Sequence, residues 1–505
     1  VASKLFRKIL IANRSEIAVR VINACKTLGI PTVAVYSEAD KSSVHRRLAD
    51  ESVMIGPPPP GKSYLDMDKI IDAARRTNAD AIHPGYGFLA ENPLLAERCV
   101  EAGITFIGPP PDVIRLMGNK VAARTKMKAA GVPLIPGMSQ TGTDLNAFKK
   151  TADKVGYPVL IKAAAGGGGK GMRVVQKAEE LSDALEAARR EAGNAFGDDS
   201  VYLEKYIANP RHIEFQILGD RHGNYTHLFE RECSIQRRHQ KIIEETPSVA
   251  LNDELRARMG DDAVKVAKAA GYVNAGTVEF LFDESGNYYF LEMNTRIQVE
   301  HPITEMVCGV DLVVEQIRIA AGQALSADVQ APVQRGHAIE CRIYAEDGEN
   351  NFMPSTGKIL AYAEPRGPGI RVDSGIMAGT EITIDYDPIM AKLIVHAPDR
   401  TGAITKMIDA LKNFHILGVK TSRRFMVDCL EHEAFARGET YTNFIERHMS
   451  QRPDLPSNIR SFALAAAAAA AVSRTPATAE ASGATVQPTP WSTIGPWEIG
   501  ASIDG

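Results

Sequence analysis

Glu292-Met-Asn-Thr-Arg-Ile-Gln-Val-Glu-His-Pro302 carries two carboxylates, two amide side chains and a guanidinium in eleven residues. The apolar Tyr288-Tyr-Phe-Leu291 leads into it and reads as a buried strand. Strand side chains alternate between faces, which predicts Glu292 and Asn294 on one face. Two such oxygen donors suit a hard cation such as Mg²⁺, with phosphate and water oxygens completing its shell. If the chain stays extended, Arg296, Gln298 and Glu300 continue the alternation and add a fixed cation, a hydrogen-bond donor and a base. A solvated loop after a strand has a similar composition, so the run gains meaning only from the rest of the chain.

Just upstream, Asn274-Ala-Gly-Thr-Val-Glu-Phe-Leu-Phe-Asp283 reads as a second strand, separated from Tyr288 by a turn containing Gly286. The two are expected to pair as a hairpin that sets Glu279 beside Glu292, a carboxylate pair able to bridge metal ions. Pro158-Val-Leu-Ile-Lys162 reads as a short strand ending in a lysine, and Ala163-Ala-Ala-Gly-Gly-Gly-Gly-Lys-Gly-Met172 follows. Glycines there allow backbone N–H groups to close on a phosphate without interference from Cβ atoms. The segment is not a P-loop, because Ala164 stands where the first glycine belongs and Gly171 where Ser or Thr belongs. A flap over a nucleotide fits better.

A formal P-loop match, Gly56-Pro-Pro-Pro-Pro-Gly-Lys-Ser63, is rejected. Such loops work through backbone N–H groups, and the four prolines have none. His212-Ile-Glu-Phe-Gln-Ile-Leu218 alternates like a strand, Leu228-Phe-Glu-Arg-Glu-Cys233 is another candidate, and Ser234-Ile-Gln-Arg-Arg-His-Gln-Lys241 comes after them. Nucleic acid is a poor match for that basic run, because the chain has 58 Lys and Arg against 62 Asp and Glu. An anionic small substrate suits it better.

In this order Lys120, Lys162, the glycine flap, Glu204-Lys-Tyr-Ile207, Glu279 and Glu292-Met-Asn294 resemble the ATP-grasp ligases, which activate a carboxylate as an acyl phosphate. More narrowly the chain resembles biotin carboxylase, the ATP-dependent component of biotin-dependent carboxylases. The resemblance rests on His83-Pro-Gly-Tyr-Gly-Phe-Leu-Ala-Glu-Asn92, Gln236-Arg-Arg-His-Gln-Lys241 and Arg296-Ile-Gln-Val-Glu-His-Pro302, and it runs from about residue 6 to about residue 448. Ser15 occupies a place where many relatives have glycine.

The resemblance implies a role for each matching residue. Lys120 and Lys162 would hold ATP phosphates under the flap residues Gly167, Gly168 and Gly169. Glu204, Lys205, Ile207 and Leu281 would meet the nucleotide, with His212, Gln236 and His239 lining its site. Glu279, Glu292 and Asn294 would bind Mg²⁺ or Mn²⁺, two ions in all. Bicarbonate would lie against Lys241, Arg296, Gln298 and the Val299 backbone, with Glu300 as the base that deprotonates it. Arg342 would stabilise the enolate of the biotin ureido ring, with Tyr86 nearby. The partners implied are a biotin carboxyl carrier domain and a carboxyltransferase, with a homodimer inside a larger assembly. The final acyl acceptor is chosen by the carboxyltransferase. Another ATP-grasp ligase would share Lys120, Lys162 and the metal residues but not the 83–92 and 296–302 signatures. A non-catalytic nucleotide-binding paralogue would lack a base or a metal ligand, and all are present.

The expected fold is α/β and α+β in several domains. Residues 1–115 form a doubly wound parallel sheet, 116–335 an ATP-grasp domain with a mobile lid at about 135–206, and 336–450 a mixed α/β domain. Residues 451–505 read as an Ala-rich helix, a Pro/Thr/Ala linker and the start of another domain marked by Trp491 and Trp497. That tail resembles the stretch after the biotin carboxylase part of long acyl-CoA carboxylase α-subunits, which predicts a longer native polypeptide. Six cysteines without zinc spacing read as reduced thiols of a cytoplasmic protein. No apolar run approaches the roughly 20 residues of a membrane span, and no signal peptide opens the chain.

Overall fold

The computed structural model describes residues 5–138, 141–142, 144–164, 172–450, 461–462 and 465. The chain divides into two units, Val1–Ser450 and Gln451–Gly505. In the second unit Ser461, Phe462 and Ala465 are helical. The linker and tryptophan readings lie outside the described residues.

Five short strands, β1 (Ile9–Ile11), β2 (Thr32–Ser37), β3 (Glu51–Gly56), β4 (Ala81–His83) and β5 (Thr105–Phe106), form a parallel sheet in the order β3-β2-β1-β4-β5. Their apolar runs are continuous because both faces are covered. Ile9 and Ile11 pack with Ile17, Val21 and Ile22 of the Ser15–Thr27 helix. Leu10 packs with Ile70 and Leu95 from helices on the other face. This is the doubly wound unit expected. Strand order reverses between β1 and β4, and an α/β sheet opens a binding crevice at such a point. The residues leaving those two strands, Asn13 to Glu16 and Tyr86 to Phe88, line a large cleft. Asn13 ties the two loops by donating to the carbonyls of Pro84 (2.8 Å) and Tyr86 (2.7 Å). In the rejected Gly56–Ser63 match, Lys62 and Ser63 spend their N–H groups on the Pro59 and Pro60 carbonyls.

A small three-stranded sheet has β6 (Val159–Ala163) between β7 (Arg173–Val175) and β8 (Val201–Lys205). The helices Leu145–Val155 and Leu181–Phe196 cover it and close a separate apolar core around Phe148, Ile161, Leu185 and Leu203. Each such side chain contributes about 2 kcal/mol on burial, so this piece has an apolar core of its own. It lies within residues 135–206.

The scaffold of the site is an eight-stranded antiparallel sheet. Its first six strands are β13 (Tyr288–Asn294), β12 (Asn274–Phe282), β9 (Arg211–Gly219), β10 (Tyr225–Arg237), β11 (Gln240–Thr246) and β14 (His337–Tyr344), followed by the strands Ile389–Ala397 and Ile370–Ser374. The sheet therefore runs on across residue 335. β12 and β13 pair as a hairpin with Glu279 directly opposite Glu292. The condition of an extended chain beyond Asn294 is not met, and the alternation stops there. Thr295 and Arg296 form a bend, Val299 and Glu300 a turn, and a helix starts at His301 with Pro302 in its first turn. The cause is anchorage, since Glu91 accepts from the Thr295 N–H (3.0 Å) and pairs with Arg296 Nε (3.0 Å), pulling the chain off the strand line.

Candidate active site

Four strands of the large sheet place ionisable side chains in one transverse row. Arg231 on β10 stands opposite Glu214 on β9, Glu214 opposite Glu279 on β12, and Glu279 opposite Glu292 on β13. Like charges directly across a ladder repel, so the three carboxylates need cations. Arg231, fully buried, supplies one: it donates to Glu214 Oε1 (2.7 Å), Gln216 (2.8 Å), Thr304 (3.0 Å) and Thr277 (3.0 Å). Lys241 supplies the other, with Nζ 2.5 Å from Glu214, 2.9 Å from Glu279 and 2.7 Å from Glu300. Burial works against the Lys241 charge, but the three carboxylates outweigh it and hold its pKa well above the ordinary value.

Glu300 is fully buried and shared between two cations, Lys241 on Oε1 and Arg342 Nη2 on Oε2 at 2.9 Å. Burial pushes its pKa up, yet Lys241, Arg342 and Arg231 together hold it well below the carboxylate range, so Glu300 is ionised. Arg342 also donates Nε to Glu244 (2.6 Å). Arg296 binds Asn294 Oδ1 (2.9 Å) and Gln298 Oε1 (2.8 Å), so the side chains of residues 294, 296 and 298 still converge although the strand has ended. Asn294 and Gln298 in turn donate to Glu279 Oε1 at 2.9 and 3.3 Å.

Lys120 Nζ lies 3.9 Å from Glu292. Lys162 pairs with Glu204 (2.7 Å), whose other oxygen receives Arg124, so Glu204 serves as a counter-ion in this state. Lys205 gives its ammonium to the carbonyls of Gly156 (2.8 Å) and Tyr157 (3.1 Å). His212 Nε2 is 3.0 Å from Glu279 and its Nδ1 meets Gln236 at 3.1 Å. His239 and Arg238 form the two-residue turn between β10 and β11, both at positive φ (67° and 50°). Non-glycine residues held there store strain of about 1–3 kcal/mol each.

Tyr86, Lys120, Lys162, Glu204, Lys205, Ile207, His212, Gln236, His239, Lys241, Glu279, Leu281, Glu292, Asn294, Arg296, Gln298, Val299 and Arg342 all line one cleft of about 1530 Å³. Glu300 lies beneath its floor, bonded to Lys241 and Arg342. Gly167, Gly168 and Gly169 lie outside the described residues, but Ala163 and Met172, which flank them closely in sequence, also line the cleft. Reading the sequence alone missed Glu214, Arg231, Glu244 and Arg124. For Glu214 a signal existed: it stands two residues after His212 on an alternating strand, hence on the same face.

The donor set fits a divalent cation. Glu279, Glu292 and Asn294 offer oxygen ligands, and His212, Glu214 and Glu279 already place ligand atoms within 4.8 Å of one another. Uncompensated negative charge in the Glu214–Glu279–Glu292 row is what such an ion would offset.

Comparison with known proteins agrees with this geometry. Residues 5–114 match the model of the biotin carboxylase N-terminal domain, 119–328 that of the carbamoyl-phosphate synthase L chain ATP-binding domain, and 340–447 that of the biotin carboxylase C-terminal domain. Biotin carboxylase of a Nostoc species is 53% identical over 441 residues, covering 87% of this chain and 99% of the relative. Biotin carboxylase 2 of Bacillus subtilis is 50% identical over 445 residues, covering 88% of this chain and 100% of the relative. Among solved structures, the biotin carboxylase domain dimer of Hydrogenobacter thermophilus 2-oxoglutarate carboxylase, in complex with MgADP, ADP and bicarbonate, superposes with a TM-score of 0.85 at 50% identity, covering 89% of this chain and 100% of that one.

Proposed function

The chain belongs to the biotin carboxylase family and catalyses the ATP-dependent carboxylation of biotin; we propose that the residues gathered in the cleft divide that work as follows. Lys120 and Lys162 hold ATP phosphates as point charges, Lys162 exchanging its Glu204 partner for phosphate oxygens. Glu204, Lys205, Ile207 and Leu281 border the nucleotide with His212, Gln236 and His239, and the flap of Gly167 to Gly169 covers it. Glu279, Glu292 and Asn294 hold Mg²⁺ or Mn²⁺, which when bound neutralises charge on the transferring phosphoryl group.

Bicarbonate is held by Lys241, Arg296, Gln298 and the Val299 amide. Glu300 accepts its proton, and the freed oxygen attacks the γ-phosphorus with ADP as leaving group, giving carboxyphosphate. Carboxyphosphate breaks into CO₂ and inorganic phosphate beside biotin; the phosphate takes the ureido N–H proton, and the enolate so formed, held by Arg342 next to Tyr86, bonds to CO₂ through that nitrogen. The observation that carries this reading is the position of Glu300, ionised and joined to both Lys241 on the bicarbonate side and Arg342 on the biotin side.

The biotin is proposed to arrive on a carrier domain and its carboxyl group to leave through a carboxyltransferase, as the first half-reaction of an acyl-CoA carboxylase. The acceptor is read by that enzyme rather than by this cleft. A homodimer in the cytoplasm is the proposed setting. In support, one solved relative is a biotin carboxylase domain dimer, and the six cysteines of this chain are free thiols. Among the described residues no helix is long and apolar enough to cross a membrane. The test is ATP hydrolysis with Mg²⁺ and bicarbonate, with and without free biotin. Turnover that requires bicarbonate, rises with biotin and collapses in Glu300→Gln supports the assignment. Turnover indifferent to bicarbonate, or retained in the variant, overturns it.

A further inference from the structure

We propose that His301 and Lys392, neither of which lines the cleft, are positioning residues that hold the Gln298–Val299–Glu300 segment in the orientation bicarbonate requires. The inference rests on the placement of bicarbonate given above and deepens it.

His301 is fully buried at the start of the His301–Cys308 helix, and its Nδ1 lies 2.7 Å from the Gln298 carbonyl. A carbonyl only accepts, so Nδ1 carries the hydrogen. Burial, with Lys392, Arg20 and Arg371 nearby, holds the ring pKa well below its ordinary value and keeps it neutral. The Gln298–Val299 peptide is trans, since cis bonds occur only at Tyr157-Pro158 and Thr246-Pro247 among the described residues. In a trans peptide the C=O and N–H point to opposite sides. Pinning the Gln298 carbonyl to buried His301 therefore turns the Val299 N–H the other way, towards the cleft that Val299 lines.

Lys392 does the same one peptide further on. It lies on the strand Ile389–Ala397 opposite Arg342, fully buried, and its Nζ donates to the Val299 carbonyl at 2.9 Å. Its carboxylate neighbours are farther off, Glu16 at 3.4 Å and Asp373 at 3.8 Å. Asp373 is also satisfied by Arg371 at 2.7 and 2.8 Å. A lysine buried only to neutralise acids would sit closest to one of them; this one sits closest to a main-chain oxygen. Its ammonium also lies 5.7 Å from the centroid of the Tyr86 ring, on the side assigned to biotin. One buried cation thus braces the peptide that carries the base and the wall that faces the second substrate. The signal was not visible in sequence, because Lys392 is 93 residues from Val299.

The experiment is steady-state ATP hydrolysis with bicarbonate varied at saturating Mg·ATP, on the unaltered protein and on His301→Ala, His301→Asn, Lys392→Met and Lys392→Arg. Asn can present an N–H near the place of Nδ1. Loss of about one hydrogen bond's worth of orientation raises the bicarbonate KM about tenfold in His301→Ala and Lys392→Met. Misplacement of the base lowers kcat by up to about a hundredfold. The ATP KM stays unchanged, and His301→Asn and Lys392→Arg recover most of the loss. A bicarbonate KM that does not move, or that moves together with the ATP KM, or no recovery in His301→Asn, overturns the inference. If Lys392→Met does not fold, the His301 pair decides. Should the unaltered protein show no bicarbonate dependence at all, it is the functional reading that falls instead.

Discussion

Arg342 Nη2 donates to Glu300 Oε2 across 2.9 Å, so the residue assigned to the proton of bicarbonate and the residue assigned to biotin share a hydrogen bond. The bond joins β14 to the turn before the His301–Cys308 helix, two elements far apart in sequence. Any change at one of these residues is felt at the other.

Glu300→Gln keeps the shape of the side chain and removes its charge. Loss of a general base costs about 10²–10⁴ in rate. We expect bicarbonate-dependent turnover to fall by that factor while ATP binding, followed by equilibrium fluorescence or calorimetry, is retained.

The metal residues give a separate handle. Glu292, the outermost carboxylate of the row, pairs only weakly with Lys120 at 3.9 Å, which leaves it available to an ion. Glu292→Gln is expected to raise the Mg²⁺ concentration needed for half-maximal turnover by about 10–100-fold. The measurement is a Mg²⁺ titration at fixed ATP, and a chelator should abolish turnover in both proteins.

Arg231→Met tests the buried end of the same row. It removes four hydrogen bonds and strands Glu214 without its closest guanidinium. Breaking a buried pair from one side costs about 3–5 kcal/mol, to be read from urea denaturation of the variant against the parent protein.

His83 predicts an acid-sensitive N-terminal unit. Its Nδ1 accepts the Gly85 N–H (3.0 Å) and its Nε2 meets Gln316 Oε1 (3.2 Å), an arrangement that needs the neutral ring. Burial pushes its pKa down to about 4, with Gln316 offsetting part of the shift. Between about pH 6.5 and pH 4 the unfolded chain binds the proton and the folded one does not. The contribution is therefore complete above pH 6.5 and is lost as pH falls towards 4, about 2 kcal/mol of it by pH 5. His83→Gln should flatten that part of the stability profile; equal pH slopes in the two proteins would refute the assignment.

Ser15, which stands where the sequence resemblance leads one to expect glycine, has φ 58°. A left-handed backbone costs a side-chain-bearing residue about 1–2 kcal/mol, partly returned by glycine's greater freedom when unfolded. Ser15→Gly should raise stability by about 1 kcal/mol, measured as a higher Tm.

Much of the site was legible in the sequence because its pieces are local. The turn containing Gly286 closes the β12–β13 hairpin and brings Glu279 opposite Glu292, as the spacing implied. The apolar runs of β1 and β4 announced a doubly wound sheet, and the prolines after Gly56 ruled out a phosphate loop there. The motif residues on the cleft wall were named from their order along the chain alone. Arg231 was hidden, since a polar residue in an alternating strand reads as facing solvent until another layer covers it. Whether the path from Asn294 to Glu300 stays extended was open in the sequence, because Glu91, which bends it, lies far back in the chain.

Residue types and local periodicity are carried by neighbours along the chain, and these settled the strands, the hairpin that sets Glu279 opposite Glu292, and the family. Ionisation and orientation were decided by tertiary contacts. Glu300 is a carboxylate rather than a buried acid because Lys241 on β11 and Arg342 on β14 reach it from separate strands. The Val299 peptide is aimed because His301 and Lys392 hold its two flanking carbonyls from behind. A charge or a peptide plane takes its state from whatever stands within a few ångströms, and here those neighbours come from distant parts of the chain.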